Sequence, residues 1–386
     1  MIVSTQPTTD RSALTQEHAE VIKATLPLVG SKINEITPVF YDRMFKAHPE
    51  LIANTFNRGN QKQGDQQKAL AASIATFATM LVDPEAPDPV QLLSRIGHKH
   101  VSLGITPDQY NIVHEHLFAA IVEVLGAETV TAPVAEAWDA VYWLMANVLI
   151  SFESDLYAAR DIEPGDVFRP VTITSKKQLS ETVWEYTLEG ELTSPQPGQY
   201  TSVGVVLDDG ARQLRQYSLL GGSSTEYRIA VEDNGEVSNF LRDRLNVGDK
   251  IEATLAAGDL ILNQDTNPVV LISQGIGSTP MVGMLAGVGP ERDIVVLHAD
   301  QSEGSYAQVD EVQSLVEKLP KAAFEIFYRD NDQWLEVAGR IPEGASVYLC
   351  GGVEFLKNVR GQIEALEVQP RDVNFELFAP NDWLIS

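Results

Sequence analysis

Two textures of hydrophobic patterning divide the chain. From about Ala13 to Tyr157, apolar residues recur at three- and four-residue spacing, as in Val39-Phe40-Tyr41-Asp42-Arg43-Met44-Phe45 and from Lys68 to Leu81. That is the period of amphipathic helices, so this part is predicted to be all-α. Thr106-Pro107 and Asp83-Pro84, with Pro87 and Pro89 close behind, mark where helices stop or restart. After Ala159-Arg160-Asp161-Ile162-Glu163-Pro164-Gly165-Asp166 the runs shorten and become β-rich: Phe168 to Thr174, Glu181 to Leu188, Tyr200 to Leu207 and Tyr227 to Val231, broken by Gly, Pro and Asp. These predict an antiparallel barrel. From Val269 onward, buried strand candidates (Val269 to Ser273, Ile294 to Ala299, Phe324 to Tyr328, Ser346 to Leu349) alternate with helical stretches, which predicts a parallel sheet with crossover helices. A nucleotide site is then expected at the carboxyl ends of those strands.

Length and composition fit this division. At 386 residues the chain exceeds one ordinary core, and 44% hydrophobic with 21% charged residues is the balance of a globular protein that builds its cores without staples. The formal charge of −26 makes phosphate backbones and anionic membranes poor partners. Most of the acidic excess falls after residue 150, so an anionic cofactor there must be held by local donors. Cys350 is the single cysteine, which excludes an internal disulfide. The start carries no signal-peptide pattern and no apolar run reaches the length of a membrane span, so a cytoplasmic protein without stable membrane association is expected.

Seven histidines could serve as a metal ligand in principle. His100, in Ile96-Gly97-His98-Lys99-His100-Val101-Ser102, lies near the end of an amphipathic helix just before a restart signal. A lone helical histidine is more often solvated or satisfied than a ligand, and the residues alone leave it open. His98, two residues away, points in a different direction and is read as solvated. His114 and His116 fail the same test for sharing a face, and His18 and His48 are read as surface or capping residues.

Several separated blocks tie this half to a family. Phe40-Tyr41-Asp42-Arg43-Met44-Phe45 with His48-Pro49-Glu50-Leu51, Asn60 to Leu70, Lys99-His100-Val101-Ser102, Pro107 to Val113, and Ala146-Asn147-Val148-Leu149-Ile150 with Glu153 together resemble the globin domain of bacterial flavohaemoglobins. The resemblance implies a haem b whose iron is bound by His100, with Tyr41 and Gln66 as distal polar residues and Leu70 as the apolar gate. It also implies Tyr110 and Glu153 behind His100, where a carboxylate raises imidazole basicity and favours oxygen activation over storage. Taken singly, Tyr41 and Tyr110 read as packing aromatics and Glu153 as a surface carboxylate.

The second half resembles the ferredoxin-reductase-like module. The resemblance implies FAD at Tyr200 of Pro197-Gly198-Gln199-Tyr200, at Arg215, Gln216, Tyr217 and Ser218, and at Gly235, Val237 and Ser238 of Gly235-Glu236-Val237-Ser238-Asn239; Ala256-Ala257-Gly258-Asp259 adds to the pattern. Gly275, Gly277, Ser278, Thr279 and Pro280 follow strand Val269 to Ser273 as the NAD(P)H turn, where glycines allow close approach and a helix amino end favours phosphate. Phe378, in Phe375-Glu376-Leu377-Phe378-Ala379-Pro380, is implied to face the flavin. Gly352, Leu377 and Ala379 depart from the module's usual Pro, Cys and Gly. Cys350 reads as a buried small hydrophobe. No Arg cluster for a 2′-phosphate follows Ile294 to Ala299, and His298-Ala299-Asp300 leans towards NADH.

The fold class expected is therefore multidomain: an all-α globin domain over 13–158, a linker over 159–166, an antiparallel β-barrel FAD domain over 167–265 and an α/β parallel-sheet NAD(P)H-binding domain over 266–386. The implied activity is that of a nitric oxide dioxygenase: NAD(P)H reduces FAD, FAD reduces the haem, and O2 at the haem oxidises nitric oxide to nitrate. The chain is expected to work as a monomer without nucleic-acid partners. Two other readings stay open, an oxygen-binding or gas-sensing haemoprotein and a flavin-dependent reductase with a vestigial globin.

Overall fold

The computed structural model describes residues 14–54, 65–83, 85–86 and 90–378, with the side chains of 53–54, 65–72 and 90–91 outside the described set. Two compact units emerge, one of residues 1–168 with 208–214 and one of 169–207 with 215–386.

The first unit is helical: α1 (Gln16–Ala47), α2 (Pro49–Asn54), α3 (Asp65–Val82), α4 (Val90–Ser102), α5 (Gln109–Leu125) and α6 (Ala132–Ala158). Thr15 starts α1 by accepting a hydrogen bond from the His18 N–H at 3.1 Å, satisfying one donor that the first turn leaves open. Ile22, Val29, Ile36, Phe40 and Met44 then form one buried stripe at helical spacing. Together with Phe77, Leu93, Val141 and Leu149 from later helices they form the core of this unit. The helix ends at Val82 and Ser102 fall where Asp83-Pro84 and Thr106-Pro107 predict breaks. Pro84, Pro87 and Pro89 themselves lie outside the described residues.

The second unit holds most of a closed six-stranded barrel and all of a five-stranded sheet. In the barrel the order is β1 (Phe168–Gln178), β2 (Val183–Gly190), β5 (Glu226–Glu232), β4 (Arg212–Gly222), β3 (Tyr200–Val206) and β6 (Lys250–Thr254). Inward residues Ile173, Tyr186, Leu188, Val203, Tyr227 and Ile229 fill it. Helix α7 (Glu236–Arg244) lies between β5 and β6 in the chain. The sheet runs β11 (Asp372–Glu376), β10 (Ser346–Cys350), β7 (Val269–Gln274), β8 (Ile294–Asp300) and β9 (Ala322–Tyr328), every pair parallel. Crossovers pass through α8 (Ser278–Ala286), α9 (Val309–Val316) and α10 (Val353–Glu364). From β7 the chain steps to β8 on one side, whereas β10 pairs on the other. This makes the carboxyl end of β7 the switch point at which open parallel sheets bind nucleotides. No helix of the described residues is long and apolar enough to cross a membrane.

Candidate functional site

In the helical unit three side chains meet at one carboxylate. His100, near the end of α4, places Nδ1 2.8 Å from Glu153 Oε1 and 3.0 Å from the Tyr110 hydroxyl, and that hydroxyl donates to the same Oε1 at 2.6 Å. Glu153 is buried in α6, and burial first, then its negative charge, pushes the Tyr110 phenol far above its ordinary pKa, so Tyr110 stays a neutral donor. A carboxylate oxygen facing a ring nitrogen accepts, so the geometry calls for a proton on Nδ1 of His100 and leaves Nε2 as the nitrogen available to a metal. No described residue hydrogen-bonds that Nε2. An imidazole oriented through Nδ1 and left partly exposed is what a haem iron requires of its protein ligand. Among the described residues no group of three or more His, Cys, Asp and Glu is placed to hold a metal ion.

The approach of α6 to α4 rests on a glycine that sequence reasoning passed over. A Cβ at Gly97 would lie 2.5 Å from the Phe152 ring and 3.8 Å from Glu153 Cγ, so a side chain there would push away the helix that carries Glu153. The signal was available, since glycine inside an amphipathic helix costs about 1 kcal/mol against alanine and flags close packing. The same contact corrects the reading of His98: it is buried rather than solvated, with its ring 5.6 Å from that of Phe152. His48 caps the end of α1, as expected. His114 pairs with Asp139 at 2.7 Å.

Tyr41 is buried in α1, its ring against those of Phe40 and Phe45 at 4.6 and 5.5 Å. Gln66 and Leu70 lie on α3, and their side chains fall outside the described residues. A small apolar cavity of about 30 Å³ is lined by Ile33, Phe40, Ile74, Phe118, Trp138 and Tyr142 among others. Its polar side chains are satisfied elsewhere, Thr37 by the Ile33 carbonyl, Trp138 by Thr25 and Tyr142 by the Tyr110 carbonyl, so the space favours small apolar molecules over water.

In the barrel, Arg215, Gln216, Tyr217 and Ser218 follow one another on β4, and Tyr200 opens β3. The Tyr217 phenol oxygen is buried with no hydrogen-bond partner among the described residues, a vacancy that a bound flavin can fill. Gly235 is the N-cap of α7, with Val237 buried in its first turn. Ser238 accepts from the N–H groups of Asn234 and Gly235 at 3.1 and 2.9 Å, so its hydroxyl shapes this turn.

In the sheet, Gly275, at φ +54°, turns the chain out of β7, and a Cβ at Gly277 would stand 2.5 Å from the Cys350 carbonyl oxygen. Ser278, Thr279 and Pro280 begin α8, all buried, and Thr279 closes the turn by donating to the Ile276 carbonyl at 2.9 Å. Ser278 donates to Gln308, whose amide nitrogen is buried without a partner. Burial pushes the Cys350 thiol up, consistent with a packing role. Phe378, the last described residue, is exposed, while Leu377 is buried. Ala379 lies outside the described residues.

The Globin family model matches residues 39–149. The chain is 37% identical to the flavohemoprotein of Deinococcus radiodurans, over 95% of its own length and 98% of that protein. It is 35% identical to the flavohemoprotein of Rhizobium meliloti, over 95% and 99%. The crystal structure of flavohemoglobin from Malassezia yamatoensis with bound FAD and heme superposes with a TM-score of 0.89 at 32% identity, covering 95% of this chain and all of that one. The flavohem-like FAD/NAD-binding domain of nitric oxide dioxygenase from Vibrio cholerae matches at a TM-score of 0.51 and 29% identity, over 54% of this chain and 98% of that one. Fold, site and matches define a haem globin joined to its own flavin and nicotinamide reductase, an oxidoreductase. The chain belongs to the flavohaemoglobin family. Its cofactors are haem, FAD and NAD(P)H.

Proposed function

We propose that this chain is a nitric oxide dioxygenase, consuming O2, nitric oxide and NAD(P)H and releasing nitrate. The observation that carries the reading is the shared carboxylate oxygen: Glu153 Oε1 lies within hydrogen-bonding distance of both His100 Nδ1 and the Tyr110 hydroxyl. By accepting a hydrogen bond from the Nδ1–H, Glu153 makes Nε2 a stronger electron donor, which an oxygen store does not need and an oxygen-activating centre does. Haem supplies the iron for oxygen chemistry, and the flavin divides a two-electron donor into single electrons. Tyr41 is assigned the distal hydrogen-bond donor, with Gln66 beside it and Leu70 as the apolar gate. Tyr200, Arg215, Gln216, Tyr217, Ser218, Gly235, Val237 and Ser238 are assigned to FAD. Gly275, Gly277, Ser278, Thr279 and Pro280 are assigned to NAD(P)H, with Phe378 between the two. The division at 13–158, 159–166, 167–265 and 266–386 is proposed as the functional one. The Vibrio cholerae match supports the reading, since that domain is described as part of a nitric oxide dioxygenase.

The test is anaerobic reduction of the holoprotein with NADH, then addition of air and nitric oxide while the visible spectrum is followed and nitrate is assayed. Haem reduction and nitrate in proportion to the nitric oxide added are expected. A stable oxygenated spectrum that ignores nitric oxide would point to storage or sensing. Flavin turnover that survives His100→Ala, in a protein whose wild type forms no nitrate, would point to a reductase with a vestigial globin.

A further inference from the structure

Between the barrel and the parallel sheet, one guanidinium answers to two carboxylates. On β5, Tyr227, Ile229 and Val231 point into the barrel core, so the alternation turns Arg228 and Ala230 outward. There Ala230 packs, with Val183 of β2 and Leu220 of β4, into the apolar cluster that holds Met281 and Met284 of α8 and Val312 of α9. Beside that cluster Arg228 reaches Glu311, in the first turn of α9, through paired bonds: Nη1 to Oε1 at 2.9 Å and Nη2 to Oε2 at 3.0 Å. Nη2 also donates to Glu185 Oε2 on β2 at 2.9 Å. All three side chains are partly buried. A paired fork fixes direction as well as distance, which a single contact between exposed charges does not.

The two carboxylates are not equivalent. Glu185 belongs to the barrel and stands opposite Ala230 on the adjacent strand, so it is a diagonal neighbour of Arg228 whatever the sheet does. Glu311 belongs to a helix of the sheet. If α9 lifts away, Arg228 keeps Glu185, and no cation is stranded without a partner. The contact can therefore open at small cost, as a joint that admits a nucleotide must. When closed it leads to the glycine turn. Gln308, the N-cap of α9, accepts a hydrogen bond at 2.5 Å from the hydroxyl of Ser278, the first residue of α8. Helix α8 in turn lies hard against the strand assigned to the flavin, since a Cβ at Gly283 would collide with the Leu219 carbonyl oxygen of β4.

We propose that Arg228 is a positioning residue for flavin reduction: by gripping Glu311 it holds α9, and through Gln308 the nucleotide turn, at the separation from β4 that hydride transfer needs. In that step NADH gives a hydride, with both electrons, to the flavin and leaves as NAD+, while one proton from water completes the reduced flavin. Arg228 acts on the separation alone, and a misplacement of about 1 Å can cost up to about 100-fold in rate. The inference rests on the flavin strand and nucleotide turn assigned above and not on nitric oxide chemistry.

Anaerobic mixing of the FAD-loaded holoprotein with NADH separates the limiting rate of flavin reduction from the nucleotide dissociation constant. Hydrogen exchange read by mass spectrometry follows the joint without turnover. Glu311→Gln and Glu185→Gln each take one carboxylate from the same guanidinium, but only Glu311 crosses to the sheet. In Glu311→Gln the limiting rate is expected to fall roughly tenfold with the NADH dissociation constant within about threefold, and amides at the start of α9 should exchange about tenfold faster. Glu185→Gln should stay within about twofold of the wild type in both measurements. Arg228→Gln should match Glu311→Gln, and the double variant should be no slower than either, because all three lose one shared contact. A rate unmoved by Glu311→Gln overturns the proposal. Equal losses in the two glutamate variants overturn it too and assign the bridge to stability alone, as does a slower rate with unchanged exchange. If Arg228→Gln does not fold, the two glutamate variants decide. A wild-type flavin that NADH does not reduce would instead overturn the cofactor assignment beneath the proposal.

Discussion

His100 Nδ1 and Glu153 Oε1 lie 2.8 Å apart, and the carboxylate holding that imidazole is buried while the ring itself is half-exposed. The pair therefore sets the character of Nε2 from behind, through a hydrogen bond that solvent does not screen. Glu153→Gln keeps the shape and removes the charge. Nitrate formation is expected to fall by roughly 10–100-fold with NADH-driven flavin reduction unchanged, and the iron–histidine stretch in resonance Raman spectra should move to lower frequency. An unmoved stretch would assign Glu153 to packing alone.

Gly97→Ala tests the helix contact that brings this pair together. The added methyl meets the Phe152 ring at 2.5 Å, and the overpacking should cost about 1–3 kcal/mol, more than the helix propensity that alanine gains. A lower melting temperature of the haem-loaded protein is expected, with a shifted Soret band as Glu153 is displaced from His100. A melting temperature at or above that of the wild type would mean that the helices part without cost.

These two residues also show what the sequence could and could not carry. His100 was legible because a restart signal and neighbouring blocks frame it, and helical period placed α1 and α6. Its partners were legible only through the family resemblance: Tyr110 and Glu153 are 43 positions apart, and no helical period joins residues so distant before folding brings them together. His98 was misread because its position two residues from His100 fixes a direction but not what packs there, which is Phe152 of α6. Strands β6 and β11, five residues each, are not predicted by the pattern because so short a run shows little alternation. The link from Ser273 through His298 to Asp300 joins residues from two adjacent strands, visible only once β7 and β8 lie in register.

At the other end of the electron path, Gly277→Ala separates nucleotide binding from the remaining chemistry. The new Cβ would strike the Cys350 carbonyl oxygen at 2.5 Å, and the Cys350–Gly351 peptide, being backbone, has little room to yield. Reduction of the flavin by NADH is expected to drop by at least about tenfold, while FAD content and haem reduction by dithionite remain at wild-type levels. Normal NADH kinetics would remove the turn from the nucleotide site.

The buried His298 gives the second unit a predictable response to acid. Burial lowers its pKa despite the opposing pull of Asp300, so the folded protein holds it neutral while the unfolded chain binds a proton below about 6.5. By linkage the unfolded state then gains stability as pH falls through that range, at up to about 1.4 kcal/mol per pH unit. Asp300 acts lower down: its depressed pKa contributes stability that is present above the ordinary carboxylate range of about 3.9 and is lost only as pH drops through the folded value. Two windows result, and between pH 7.5 and 5 the Ser273–His298–Asp300 chain responds through the histidine. The midpoint of urea unfolding followed by flavin release should decline over that interval in the wild type, and the decline should flatten in His298→Gln, which has nothing to titrate. Equal slopes in the two proteins would show that His298 accepts its proton without unfolding.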